Sequence, residues 1–107
     1  MIFRLKTVEG DPEDVELGIG LFRDVVSGCC TGVEGFRAGY FLVDRESGRM
    51  VTLTLWASTE ALAQGVENLA RRVESDEQVA ATVARVNSHG VRFDTYELAH
   101  EIAGEQV

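Results

Sequence analysis

Residues 35–61, GFRAGYFLVDRESGRMVTLTLWASTEA, carry the clearest structural pattern of the chain. Two apolar runs, 36–44 and 50–56, flank a polar connection in which Gly48 can supply the positive φ of a tight turn. A hydroxyl at Ser58, followed by an acid and good helix formers, then begins a helix. The stretch predicts a β-hairpin that leads directly into a helix.

The chain before the hairpin begins with a predicted strand. In residues 2–8 Phe3 and Leu5 occupy one face, while Arg4 and Lys6 occupy the other. A spacing of two between like residues is typical of a β-strand. The N-terminal segment therefore predicts a strand with one apolar and one basic face.

A helix is predicted between this strand and the hairpin. Asp11 suits its N-cap, Pro12 suits its first position, and the helix is expected to end at about Gly28. Its apolar stripe consists of Val15, Ile19, Phe22, Val26 and Cys29. Gly18 and Gly20 each cost roughly 1 kcal/mol relative to alanine. Either the backbone there approaches another element closely or the helix is loosely held.

Two helices and a strand are predicted after the hairpin. We predict a helix from Thr59 to about Ser75, a short helix within 76–87 and a fourth strand over 91–98, followed by a charged tail. The order strand, helix, strand, strand, helix, strand is the split βαβ plan. It predicts an α+β, ferredoxin-like fold with a four-stranded antiparallel sheet, helices on one face and the first and third strands central. One such domain is expected over residues 1–107.

Both faces of the second and third strands carry large apolar side chains. In the second strand Phe36, Ala38, Tyr40 and Leu42 share one face and Phe41 and Val43 the other; in the third, Val51, Leu53 and Leu55 oppose Met50, Thr52, Thr54 and Trp56. Helices cover only one face of such a sheet, so the other face needs a different cover. A homodimer packed sheet against sheet is the simplest one.

Charge and composition argue against several classes of function. The chain carries 18 acidic and 10 basic residues, a formal net charge of −8, and shows no basic stripe of the kind that nucleic-acid binding requires. Without that stripe, neither a nucleic acid nor an anionic membrane surface is expected as a partner, and no apolar run is long enough to span a bilayer. The N-terminus does not resemble a signal peptide, which favours a cytoplasmic location. The adjacent Cys29 and Cys30 are expected to be reduced thiols, one of them buried.

The hairpin stretch resembles a known family. Gly35-Phe36, the run 39–44, the polar turn and residues 51–61 are similar to the antibiotic-biosynthesis-monooxygenase-like (ABM) family of dimeric α+β barrels. The resemblance covers about residues 34–62. It implies a dimeric barrel and, as one activity of the family, oxidation of a small aromatic or polyketide-like substrate with no bound cofactor.

Several positions depart from the patterns of that family. Glu34 stands where a proline usually precedes the glycine-phenylalanine pair. Haem-degrading members carry an asparagine late in the first strand and a histidine on the second helix. Here the strand offers Thr7 and the helix over 59–75 has no histidine, which argues against haem degradation. Quinone-forming members carry an asparagine shortly before the tryptophan, where this chain has Thr52 and Thr54.

Five side chains are candidates for binding a small substrate: Trp56, Tyr40, Thr54, His89 and Tyr96. The indole can stack on an aromatic ring and donate its N–H, or it can simply close the core. The phenols could hold or deprotonate a hydroxyl, or send their own hydroxyls to water. The loop histidine is either a neutral-pH base near a cavity or an inert surface residue. Neither it nor His100 has a partner at metal-ligand spacing, so we expect no metal.

Two functions are consistent with these residues. The first, which the family resemblance implies, is a cofactor-independent monooxygenase, in which a bound aromatic substrate loses a proton and its carbanion reacts with dioxygen. The alternative is a non-catalytic dimeric module that binds a small apolar ligand or acts in regulation. A cavity beside Trp56 with a tyrosine or histidine reaching into it favours the enzyme. An interior filled by Phe22, Leu62 and Leu69 would exclude it.

Overall fold

Four strands form one antiparallel sheet with helices packed on one face in the computed structural model, which describes residues 1–104. The strands are β1 (Ile2–Glu9), β2 (Phe36–Val43), β3 (Arg49–Trp56) and β4 (Val91–Glu97). Their order across the sheet is β2-β3-β1-β4, and each neighbouring pair is antiparallel. The predicted ferredoxin-like α+β fold, with β1 and β3 central, is confirmed.

The chain between β1 and β2 is helical over most of its length. A 3₁₀ turn (Pro12–Asp14) leads into α1 (Val15–Leu21), a π-helical segment (Phe22–Val26) and α2 (Ser27–Thr31). Pro12 begins the first turn as predicted, but the Asp11 side chain makes no capping bond. Its Oδ2 lies 2.9 Å from His89 Nε2 instead. The predicted end at Gly28 is three residues short, because the helix continues to Thr31.

The helix approaches the sheet most closely at Gly18. A Cβ at this position would lie 2.5 Å from Met50 Sδ and 3.2 Å from the ring of Phe41. One turn later, Phe22 stacks on Phe41 with ring centroids 5.4 Å apart and planes at 23°. Gly18 therefore serves close packing, the first of the two explanations that the sequence allowed.

The second half of the chain contains α3 (Thr59–Ser75) and α4 (Glu77–Val86). Ser58 Oγ accepts a hydrogen bond from the Ala61 N–H at 3.1 Å, which is the predicted cap. Asp76 caps α4 by accepting two backbone N–H bonds from its first turn. Within 1–104, no helix is long and apolar enough to cross a membrane. The tail has no regular structure over 98–104, and its remainder lies outside the described residues.

The predicted face of Phe36 is wrong. A β-bulge between Phe36 and Ala38 shifts the register of β2 against β3. Phe36 therefore lies beside Trp56 on the helix-facing side, with their rings edge to face and centroids 5.0 Å apart. Tyr40 and Leu42 keep the predicted opposite face. Simple alternation misses the bulge because it counts every residue as one step of the pleat.

The register also decides which face of β1 meets the helices. Arg4 pairs with Thr54, Lys6 with Thr52 and Val8 with Met50, and directly opposed residues share a face. Val8 and Met50 belong to the buried core beneath α1 and α4. The basic face of β1 is therefore the helix-facing one, and its apolar face is open.

Candidate functional site

A half-open pocket lies between the helices and the helix-facing side of the sheet. Its volume is about 100 Å³, which is room for a small organic group. The apolar part of its wall is formed by Phe22, Phe41, Trp56, Leu62, Leu69 and Phe93. Among all the side chains that line the pocket, which also include Val66, those of Phe93 and Val66 are the exposed ones. They place the opening between β4 and α3.

Trp56 forms the closed end of the pocket. Its side chain is 2% exposed and packs with Cys30 and Ala61. The indole N–H donates to Thr54 Oγ1 at 2.9 Å. This hydrogen bond satisfies the one polar atom of the buried ring. What the indole offers a ligand is therefore its ring surface.

Two cationic side chains, Arg4 and Lys6, line the same pocket from β1. Burial lowers the pKa of the Arg4 guanidinium, and burial together with the Arg4 charge lowers the pKa of the Lys6 ammonium. The Arg4 guanidinium carbon lies 4.4 Å from the centroid of the Phe93 ring, a cation–π contact. Neither cation has an ion pair or a side-chain hydrogen bond with any residue of 1–104. Both charges thus face an apolar space.

Cys29 and Cys30 line the helix side of the pocket. Both are free thiols and Cys30 is buried, which agrees with the prediction. Burial raises the pKa of the Cys29 thiol and raises that of Cys30 to about 11. Both are therefore protonated and weakly nucleophilic at neutral pH. Over the described range, no group of three or more His, Cys, Asp or Glu side chains could hold a metal ion.

The structure distributes the five sequence candidates over three places. Trp56 and Thr54 lie together at the pocket. Tyr40 and Tyr96 belong to the open face and are 54% and 56% exposed. His89 lies in the loop before β4, where its Nε2 is 2.9 Å from Asp11 Oδ2. No tyrosine or histidine of the described part of the chain lines the pocket.

Sequence reasoning missed Arg4 and Lys6 as pocket residues. Alternation placed them on one face of β1, and a basic face is ordinarily the solvent face. Phe3 and Leu5 give the opposite face a stronger apolar character, although that face is the open one. Val8 could have indicated this, because it is apolar and alternation places it on the same face of the strand as Arg4 and Lys6.

Comparison with solved structures identifies the fold. The monooxygenase from the ActVA-Orf6 gene of Streptomyces coelicolor, solved with nanaomycin D, matches with a TM-score of 0.74 and 15% identity over 97% of this chain and 92% of that chain. This chain has the ABM-like fold. A dimeric ferredoxin-like protein from an uncultured marine organism also matches, with a TM-score of 0.73 and 10% identity over 97% and 92% of the two chains.

A third structure extends this agreement. A protein of Nitrosomonas europaea, described as an antibiotic biosynthesis monooxygenase, matches with a TM-score of 0.72 and 13% identity over 94% of this chain and 100% of that chain. At such identities the likeness shows the ABM-like fold alone. No family model matches the sequence.

Sequence relatives occur in Mycobacterium tuberculosis. The uncharacterized protein Rv2558 is 37% identical over 67 residues, which are 63% of this chain and 28% of the relative. The uncharacterized protein Rv2557 is 36% identical over 59 residues, 55% of this chain and 26% of the relative. The matched segment spans little more than a quarter of these relatives, which are about twice as long as this chain.

Proposed function

We propose that the protein is a cofactor-independent monooxygenase acting on a small aromatic or polyketide-like substrate. The observation that carries the proposal is the half-open apolar pocket beside Trp56. Phe22, Leu62 and Leu69 line this pocket without filling it, so about 100 Å³ is left for the edge of a planar ring, whose remainder would extend through the opening. The ABM-like fold supports the proposal, since a similar structure is a monooxygenase solved with nanaomycin D.

The proposed reaction needs only the substrate and dioxygen. A C–H group activated by a neighbouring carbonyl or phenol loses its proton, and the carbanion passes electrons to dioxygen. One oxygen atom becomes a new carbonyl oxygen and the other leaves as water, so a CH₂ group and O₂ give C=O and H₂O. The aromatic wall positions the ring and excludes water.

Oxygen uptake with anthrone tests this proposal. Anthrone has an activated CH₂ group, and its expected product is anthraquinone with one oxygen atom from ¹⁸O₂. Thr52→Phe adds a ring to the pocket lining and is expected to lower the initial rate at least tenfold. Thr31→Phe makes the same change at an exposed residue outside the pocket and should leave the rate within twofold. Equal rates for the two variants would contradict a reaction in this pocket.

A second candidate function is non-catalytic binding of a small apolar ligand. It is favoured by the lining itself, in which no described tyrosine or histidine offers a base. Both functions require the aromatic ring to bind, but only the monooxygenase consumes oxygen, so measuring binding and oxygen uptake together distinguishes them. Anthrone that quenches Trp56 fluorescence without any oxygen uptake supports the binding module and rejects the monooxygenase.

We also infer a homodimer formed through the open face of the sheet. Tyr40, Leu42 and Tyr96 on this face are each more than half exposed. Burying the exposed surface of each side chain stabilises the dimer by about 1 kcal/mol. In a symmetric interface each side chain contributes once from each protomer. A similar structure is described as a dimeric ferredoxin-like protein. The relatives, at about twice this length, have room for two such units in one chain.

Sedimentation velocity over a range of concentrations tests the dimer. Leu53→Glu places a charge in the middle of the open face and is expected to give a monomer. Leu17→Glu makes the same change at an exposed leucine of α1, 38% exposed, and should leave the dimer intact. A wild-type protein that sediments as a monomer at all concentrations would reject the interface.

A further inference from the structure

Most basic residues of this acidic protein have carboxylate partners. Seven of its ten basic residues form ion pairs within 1–104: Arg23, Arg45, Arg49, Arg71, Arg72, Arg85 and Arg92. The other three, Arg4, Lys6 and Arg37, form none with the described residues. Arg37 is exposed on β2, where water solvates its charge. Arg4 and Lys6 are half-buried in an apolar pocket, so they stand apart from every other cation of the chain.

Such an arrangement is unfavourable in the empty protein. A charge removed from water without an anionic partner costs free energy, which the cation–π contact of Arg4 with Phe93 offsets only in part, and here two like charges are removed together. Burial lowers the pKa of both groups, and the Arg4 charge lowers that of Lys6 further. Acidic residues are plentiful in the sequence, yet none of the described ones lines this pocket. An anion beside both cations would offset the cost of burying them.

We propose that the pocket is built for an aromatic anion, whose carboxylate, enolate or phenolate oxygen is bound by Arg4 and Lys6 while its ring lies against the apolar wall. The inference rests on the proposed function in using the same pocket, and it adds the charge class of the ligand. Arg4 and Lys6 lie two residues apart on one strand face, so both can reach a single oxyanion. The ring would then occupy the space toward Phe41 and Trp56.

Equilibrium binding tests the inference without turnover. The probes are 2-naphthoate and 2-naphthamide, which share ring and shape and differ in charge. Calorimetric titration is expected to show at least tenfold tighter binding of the naphthoate, since hydrogen bonds to charged groups are the stronger ones. Equal affinity for the two probes would overturn the inference. In a second arm, a lowered apparent pKa of bound 4-nitrophenol would show that a phenolate is also accepted, whereas an unchanged one would restrict the ligand to carboxylates.

Three variants assign the preference to the two cations. Lys6→Met and Arg4→Met should each weaken naphthoate binding at least tenfold and leave naphthamide within threefold. Arg37→Met removes the same charge from the exposed, unpaired arginine and should change neither affinity more than twofold. Lys6→Arg keeps the charge and should keep the preference, which separates charge from packing. An equal loss of naphthoate binding in Arg37→Met would show a long-range charge effect and reject the site.

The outcome is independent of the monooxygenase proposal. A preference for naphthoate in a protein that binds anthrone without consuming oxygen supports the anion site and rejects the enzyme. Oxygen uptake with anthrone in a protein that binds naphthoate and naphthamide equally supports the enzyme and rejects the anion site.

Discussion

Replacing Gly65 with alanine is expected to destabilise the protein, although alanine is the better helix former. Gly65 is buried inside α3 and lies against the indole of Trp56. A Cβ at this position would overlap the indole Cη2 and lie 2.9 Å from Cζ2 and 3.0 Å from Cζ3. The ring cannot easily move aside, because it contacts Phe36 edge to face and donates its N–H to Thr54.

The size of the effect follows from two opposing contributions. Alanine gains roughly 1 kcal/mol over glycine in a helix interior. Overpacking a well-packed core costs about 1–3 kcal/mol, and overlap with a rigid ring belongs at the upper end. Gly65→Ala should therefore lower the free energy of unfolding by about 2 kcal/mol. Gly28→Ala, in α2, is the matched control. Nothing lies within 4 Å of a Cβ there, so only the favourable contribution of up to about 1 kcal/mol remains.

Urea denaturation followed by the fluorescence of the single tryptophan measures both variants at one protein concentration. The two alanine substitutions are expected to shift the midpoint in opposite directions, downward for Gly65 and upward for Gly28. A Gly65→Ala protein as stable as the wild type would refute the argument, because the indole would then be free to rearrange. Such freedom would also leave the pocket without a fixed closed end.

Three further results are expected. Lys6→Met should be more stable than the wild type by about 1 kcal/mol at pH 7 because it removes a desolvated charge. Burial and Arg4 lower the pKa of Lys6 in the folded state, so the free energy of unfolding of the wild type contains a contribution that rises with pH until the unfolded pKa near 10.5. The variant lacks this rise. The raised pKa values of Cys29 and Cys30 make the free energy of unfolding fall with pH, and this effect is the same in both proteins. Thr54→Val should cost about 1–3 kcal/mol in urea denaturation by leaving the buried indole N–H without an acceptor, and Thr54→Ser should retain most of the stability. Iodoacetamide at pH 8 should label Cys29 slowly and Cys30 more slowly still, as mass spectrometry of timed samples would show; fast labelling of Cys30 would contradict its burial.

The elements that the sequence predicted well are those governed by local chemistry. The hairpin turn needs a residue of positive φ, and Gly48 adopts φ +83°. Asp44 accepts backbone N–H bonds inside that turn, and Ser58 accepts one at the start of α3. The order of such elements then leaves few topologies, because right-handed crossovers are strongly preferred. Trp56 and Thr54 were predicted on one face, since period-two alternation holds throughout β3.

The element order, the antiparallel sheet and the apolar character of both sheet faces could thus be predicted from the amino-acid pattern alone. Which face of each strand meets the helices could not, because it depends on contacts between distant parts of the folded chain. A bulge moved Phe36 to the side of Trp56, and pairing with β3 turned Arg4 and Lys6 inward. Alternation along a strand fixes which side chains share a face, but it does not say which of the two faces meets the helices. Long-range register and helix packing make that choice, and here they place in an apolar pocket two cations that form no ion pair with the described residues.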